Sequence, residues 1–251
     1  LELLKAGPMK IGHKLIIAFI GAGLLPAATI GTVAWLATDT MFNETAETYA
    51  AHADALADKI DRNVFERYGD VQAFGLNRVV DDRESWYKTG EDNAITQAMN
   101  QYVDTYDVYA LTILVDLDGK VVAVNNRNQD TKPINTGFVY DMNFASSQWF
   151  RDAVAGRFFT KPGSSLTGTV VEPYYTDELV VRANAGDGRC ISFTSPVRDA
   201  DGKVVAVWHN VARFDIVTEI FASTYEGLKQ LGLNDAELTL LDTHGNVLLD
   251  Y

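Results

Sequence analysis

Ala110–Val124, ALTILVDLDGKVVAV, is the stretch whose reading decides the fold. The apolar run Ala110–Val115, the turn Asp116-Leu-Asp-Gly119 and the second run Lys120–Val124 predict strand, tight turn and strand, with Asp-Gly supplying the turn chemistry. The same wording returns at Asp199–Val207, DADGKVVAV, between predicted strands Ile191–Val197 and Val204–Asn210. A looser copy, LTLLDTHGNVLL, occupies Leu238–Leu249. Hairpins join antiparallel neighbours, so the sheet built from these runs is antiparallel. Between the first two copies, Tyr140–Gly156 reads as helical around Trp149-Phe150. A polar loop follows through Pro162–Gly168, and Thr169–Tyr174 and Leu179–Ala183 read as β-rich.

Working outward towards the N-terminus, the period changes from two to about 3.6. Asp92–Thr105 is amphipathic, with Ile95, Ala98, Met99, Tyr102 and Val103 on one face. From Thr38 to about Val80, Phe42, Tyr49, Leu56, Ile60, Val64, Tyr68, Val71 and Phe74 recur every three or four residues, or multiples of that, as in one long helix. That helix suits either a dimer seam or packing on its own domain. Before it lies Leu15–Ala37, LIIAFIGAGLLPAATIGTVAWLA, without a formal charge. As a helix it spans about 34 Å, enough to cross a hydrocarbon core about 30 Å thick. Lys5, Lys10 and Lys14 precede it, whereas Thr38–Ala57 holds no Lys or Arg. That asymmetry predicts a cytoplasmic N-terminus and an extracytoplasmic remainder, with the span in the cell's inner (cytoplasmic) membrane and in contact with its lipid. The run is too long for the apolar core of a signal peptide. Gly23, Ala27 and Gly31 form a small-residue strip on which a second copy could pack. Met9 opens the run MKIGHKLIIAFIGAGLLP, so Leu1–Pro8 reads as upstream or cloning sequence.

The composition excludes several functions. A net charge of −13 is the reverse of what nucleic acid attracts. One cysteine, Cys190, permits no internal disulfide. His13, His52, His209 and His244 are scattered and form no metal motif, so no metal ligand, cofactor or catalytic residue is assigned. Asn126-x-Asn128-x-Asp130 imitates a calcium loop but has Thr131 and Gly137 where Gly and Glu are required. One enzymatic alternative exists. ILVDLDGK resembles the first motif of haloacid-dehalogenase-type phosphatases, with Asp116 as nucleophile and Asp118 as proton carrier, although Lys120 replaces the Thr. The recurrence at Asp199–Lys203 favours a turn over a nucleophile.

The order of elements predicts an α+β module, an antiparallel sheet with helices on one side. MKIGHKLIIAFIGAGLLP, the long helix and DADGKVVAVWHNVARFDIV together resemble the N-terminal half of a bacterial methyl-accepting chemotaxis protein. From Thr38 on, the chain resembles a double Cache sensor, two PAS-like modules hung on a long helix. The resemblance implies a cytoplasmic N-terminus at 1–14, a transmembrane helix at 15–37 and a long extracytoplasmic helix at 38–80. It further implies a membrane-distal module at 81–215, a connecting helix at 216–234 and the start of an incomplete proximal module at 235–251. A homodimer through the transmembrane and long helices is expected, and so are a second span, a HAMP unit and a signalling coiled coil beyond Tyr251. The output is chemotaxis, or alternatively that of a histidine kinase or cyclic-di-GMP enzyme.

The same resemblance implies a small-molecule ligand between the sheet and the helix–loop segment after the first hairpin. The amino-acid-binding version carries an Arg two residues before a Trp-Tyr pair. Here the run is Ser147-Gln-Trp149-Phe150, so a carboxylate clamp is missing. The candidate ligand-binding residues are Trp149, Phe150, Tyr174, Tyr175, Asp177, Thr194, Trp208 and Asn210. Period two places Trp208 and Asn210 on one face, and convergence on a single concavity is expected. Asp177 points to an amine or another polar metabolite.

Overall fold

A computed structural model describes residues 10–160, 163 and 165–251. The expectation for Leu1–Pro8 and part of the Pro162–Gly168 loop lie outside the described residues. The chain divides into two compact units, Leu1–Ala57 and Asp58–Tyr251. Helix α1, Ile11–Gly75, carries Pro26 in its interior without a break, so the apolar run and the amphipathic run are one element. Its end comes before the expected Val80, at Gly75, and a short 3-10 turn, Arg78–Asp81, follows under an Asn77 side-chain cap.

The first unit contains an eighteen-residue window of mean hydropathy 2.0, none of it buried. Phe19, Leu25, Ile30 and Trp35 are exposed there. This helix is long and apolar enough to cross a bilayer.

The second unit is built on a five-stranded sheet in the order β2-β1-β5-β4-β3. Its strands are β1 (Tyr109–Asp116), β2 (Val121–Val124), β3 (Val170–Thr176), β4 (Arg189–Arg198) and β5 (Val204–Arg213), and every neighbouring pair is antiparallel. One face packs on Tyr68, Val71 and Phe74 of α1 and on Ile95, Met99 and Val103 of helix α2 (Ala94–Tyr106). Asn93 starts α2 by accepting from the amides of Ile95 and Thr96. The expected one-sided covering by helices is corrected, because the second face is covered as well. Helix α3 (Gln148–Ala155) seats Trp149, Phe150 and Ala153 there, and helix α4 (Glu178–Ala183) seats Val180 and Ala183. The apolar run of the α4 segment predicts a β-rich stretch. Asp177 capping the Leu179 amide and Asn184 in the left-handed conformation make it a short helix instead. Helix α5 (Asp215–Gln230) follows the sheet, and β6 (Thr239–Leu241) with β7 (Val247–Asp250) forms a separate hairpin.

The repeated wording is turn chemistry. Asp116 Oδ1 accepts from the amides of Asp118 and Lys120, both at 2.9 Å. Asp199 Oδ1 does the same for Asp201 and Lys203, and Asp242 Oδ1 for His244 and Asn246. The second oxygen of Asp116 accepts from the Tyr87 hydroxyl at 2.7 Å. A phosphatase nucleophile needs a free carboxylate at the end of a parallel strand. Asp116 has neither property.

The turn glycines differ in their surroundings. Gly119 and Gly202 both have φ near +80°, at 76° and 80°. A Cβ on Gly119 would collide with the Ala145 backbone, lying 2.8 Å from its Cα, whereas Gly202 has nothing within 4 Å. Gly202→Ala therefore costs only left-handed strain, about 1–2 kcal/mol. Gly119→Ala forces the Ala145 segment to move and costs roughly 3 kcal/mol or more. Urea unfolding of the two variants measures the difference, and equal losses would contradict the packing described.

Candidate functional site

Strand alternation sends successive side chains of β5 to opposite faces. Ala206, Trp208 and Ala212 belong to the core beneath α1 and α2, and Val207 and Val211 to the cores beneath α3 and α4. His209 shares the second face. There it stacks on Trp149, with ring centroids 4.1 Å apart and planes 13° from parallel.

Around that stack lies a cavity of about 330 Å³. Ser147, Gln148 and Trp149 line it from the head of α3, Glu172, Tyr175 and Thr176 from β3, and Asp177, Glu178 and Leu179 from the start of α4. Ile113, Phe144 and His209 close it. No Lys or Arg is among these residues.

The polar groups are tied down. Asp177 Oδ1 accepts from the Leu179 amide at 2.8 Å, and its Oδ2 accepts from the Tyr175 hydroxyl at 3.1 Å. Burial, reinforced by the Asp177 charge, pushes the Tyr175 phenol up, so it stays protonated and donating. Ser192 Oγ on β4 donates to Glu172 Oε2 at 2.7 Å. Burial raises the Glu172 carboxyl above its ordinary value, and the charges of Asp177 and Asp152 add to this against the Ser192 bond. Gln148 and Arg157 both bond Asp152, so that carboxylate is already compensated. His209 is 3% exposed, and its Nδ1 lies 2.7 Å from Thr194 Oγ1. Burial lowers its pKa from 6.5 to about 3, so the ring is neutral at physiological pH.

Of the eight candidate residues, the structure brings Trp149, Tyr175 and Asp177 to the cavity. Phe150 packs beside Trp149 in the core under α3. Thr194 stands behind His209 as its partner, and Tyr174 meets Phe214 edge-on at 4.7 Å. Trp208 and Asn210 do not converge with the others. They share a face, as expected, but it is the α1–α2 face, where Trp208 Nε1 donates to Thr112 Oγ1 and Asn210 Oδ1. Glu172 and His209 are the residues that sequence reasoning missed. The signal for His209 was an imidazole in a mostly apolar strand, one position out of phase with the pair singled out.

No protein-family model and no curated protein matches this sequence. Solved structures do. The chain is similar to the sensor domain of the Vibrio cholerae histidine kinase DctB, with 15% identity and a TM-score of 0.55 over 81% of this chain and 66% of that one. It is also similar to the sensory domain of the Campylobacter jejuni chemoreceptor Tlp3 (CcmL) with isoleucine bound, with 12% identity and a TM-score of 0.57, covering 84% of this chain and 72% of that one. The ligand-binding domain of Tlp3 in complex with L-valine gives a TM-score of 0.58 at 12% identity, covering 84% of this chain and 73% of that one. This chain has the sensor-domain fold. It spans about two thirds of the DctB sensor domain. The resemblance to Cache sensors therefore holds at the level of architecture, with the cavity on the α3 face of the sheet.

The buried imidazole makes this module sensitive to acid. The folded state excludes a proton that the unfolded chain binds below about pH 6.5, so stability is full above that value and falls as pH drops towards about 3. Between about pH 7 and about pH 5 this amounts to about 2 kcal/mol. Denaturant unfolding at the two pH values should show that loss in the native chain and a much smaller one in His209→Gln. Equal losses would mean that His209 is not held neutral. Trp149→Ala is a poor probe of the cavity, since Trp149 is only 7% exposed and its truncation costs roughly 3–5 kcal/mol of packing.

Proposed function

We propose that this chain is the extracytoplasmic ligand-sensing part of a transmembrane receptor, anchored by α1 in the inner membrane and governing chemotaxis. The observation that carries the reading is the cavity on the α3 face of a sheet whose other face packs on the long helix. A molecule bound among Trp149, Tyr175, Asp177 and His209 contacts the same β-strands that the helix grips from behind. Sensory domains of this fold from Tlp3 were solved with isoleucine and with valine, which supports a small-molecule occupant here. The lysines before Leu15 and the basic-free stretch after Ala37 support the orientation. A homodimer, packed through the Gly23, Ala27 and Gly31 strip and the long helix, is the arrangement in which such a signal would be transmitted.

A second reading keeps the sensor and changes the output to that of a histidine kinase, since DctB shares the fold. The two readings separate when the gene is replaced in its own host. Loss of a directional swimming response with transcription unaltered favours the first, and loss of a transcriptional response alone favours the second. For the anchor, a reporter enzyme active only outside the cytoplasm should work when fused after Ala37. A cytoplasm-only reporter at the same point should be silent, and the opposite pattern rejects the orientation.

A further inference from the structure

Every polar group that faces the cavity without a partner to spare is negative or neutral. Glu172 is half-buried on β3 and takes one hydrogen bond, from Ser192 Oγ at 2.7 Å. Among the described residues no cation is paired with it, whereas Asp70, the half-buried acid on α1, has Arg67 at 3.2 Å. Asp177 and Glu178 stand in the same wall as Glu172, so the lining gathers three carboxylates and neither Lys nor Arg. His209 supplies an independent observation on the far side. It is 3% exposed, its Nδ1 is engaged by Thr194, and its Nε2 has no hydrogen-bond partner among the described residues. His209 lines the cavity, so a ring nitrogen left unbonded there is available to a polar group of a bound molecule.

Building on the cavity as the ligand site, we infer that its ligand is a small organic amine without a carboxylate. Its ammonium group is held by Glu172, a second polar group of the same molecule bonds His209 Nε2, and the rings of Trp149 and Tyr175 wall it in. An ammonium restores the compensation that Glu172 lacks. The aromatic walls suit a cation. A carboxylate would meet three like charges and no guanidinium or ammonium to pair with. β4 separates β3 from β5, so the two anchors stand on backbones about 10 Å apart. That separation, in a cavity of about 330 Å³, fits a short diamine or amino alcohol better than a simple monoamine.

Calorimetric titration of the full chain in detergent micelles tests this, with putrescine, ethanolamine and butylamine set against succinate and L-isoleucine. The bifunctional amines should bind and the carboxylates should not. Glu172→Gln keeps the bond from Ser192 but not the charge, and should weaken amine binding roughly tenfold or more at an unchanged melting temperature. Glu172→Asp should retain part of the affinity. His209→Gln should weaken putrescine and ethanolamine more than butylamine. Amine binding that survives Glu172→Gln intact overturns the inference. Preferential binding of a carboxylate, weakened by His209→Gln, overturns the amine while leaving the cavity as the ligand site. If none of these compounds binds, the inference fails. If a ligand found by wider screening is also indifferent to His209→Gln and Glu172→Gln, the site itself fails.

Discussion

The indole of Trp208 meets Phe74 edge-on, with ring centroids 6.0 Å apart, and this contact decides which face of the central strand belongs to the long helix. Tyr102 of α2 flanks the same indole at 6.2 Å, and the indole N–H is satisfied by Thr112 and Asn210 within the sheet. Once Trp208 is seated there, alternation leaves no choice for its neighbour. His209 must face the other way, onto Trp149. A one-residue slip of β5 would put an indole in the cavity and an imidazole in the aromatic core. The slip would also break the pairing of β5 with β1 and β4 at Ile113 and Thr194.

Local chemistry made much of the fold legible. The Asp-x-Asp-Gly turns announce their hairpins because one carboxylate oxygen collects two amides within five residues, wherever the strands lead. Helix α2 was readable because one face is apolar and the other solvated. The facing of β5 was not readable. From Ala206 to Ala212 the strand is buried on both sides, so its sequence has no polar-apolar alternation to phase it. Trp208 and Asn210 were grouped correctly and assigned to the wrong side. The α4 segment misled for a related reason, since four apolar positions in six residues fit either period and only the Asp177 cap separates them.

Glu172 was missed because a glutamate in a β-rich stretch reads as a solvated side chain on an edge strand. Its half-burial comes from long-range geometry. β3 lies beside β4, and the start of α4 packs over the end of the strand, closing water off from a carboxylate that a sequence pattern leaves exposed. The module thus has two aromatic layers on one sheet. A dry one lies against the helix, and one bordered by Glu172, Asp177 and Glu178 lies on the other side.

Intrinsic tryptophan fluorescence gives the most direct test that the α3 face, not the α1 face, is the ligand face. The chain has four tryptophans, with Trp149 at the cavity and Trp208 on the opposite side of β5. A ligand that stabilises the protein should change the emission of the native chain. The change should persist in Trp208→Phe and disappear in Trp149→Phe, with the ligand still bound by calorimetry. A change that disappears in Trp208→Phe and persists in Trp149→Phe would place the ligand on the helix face and contradict the account.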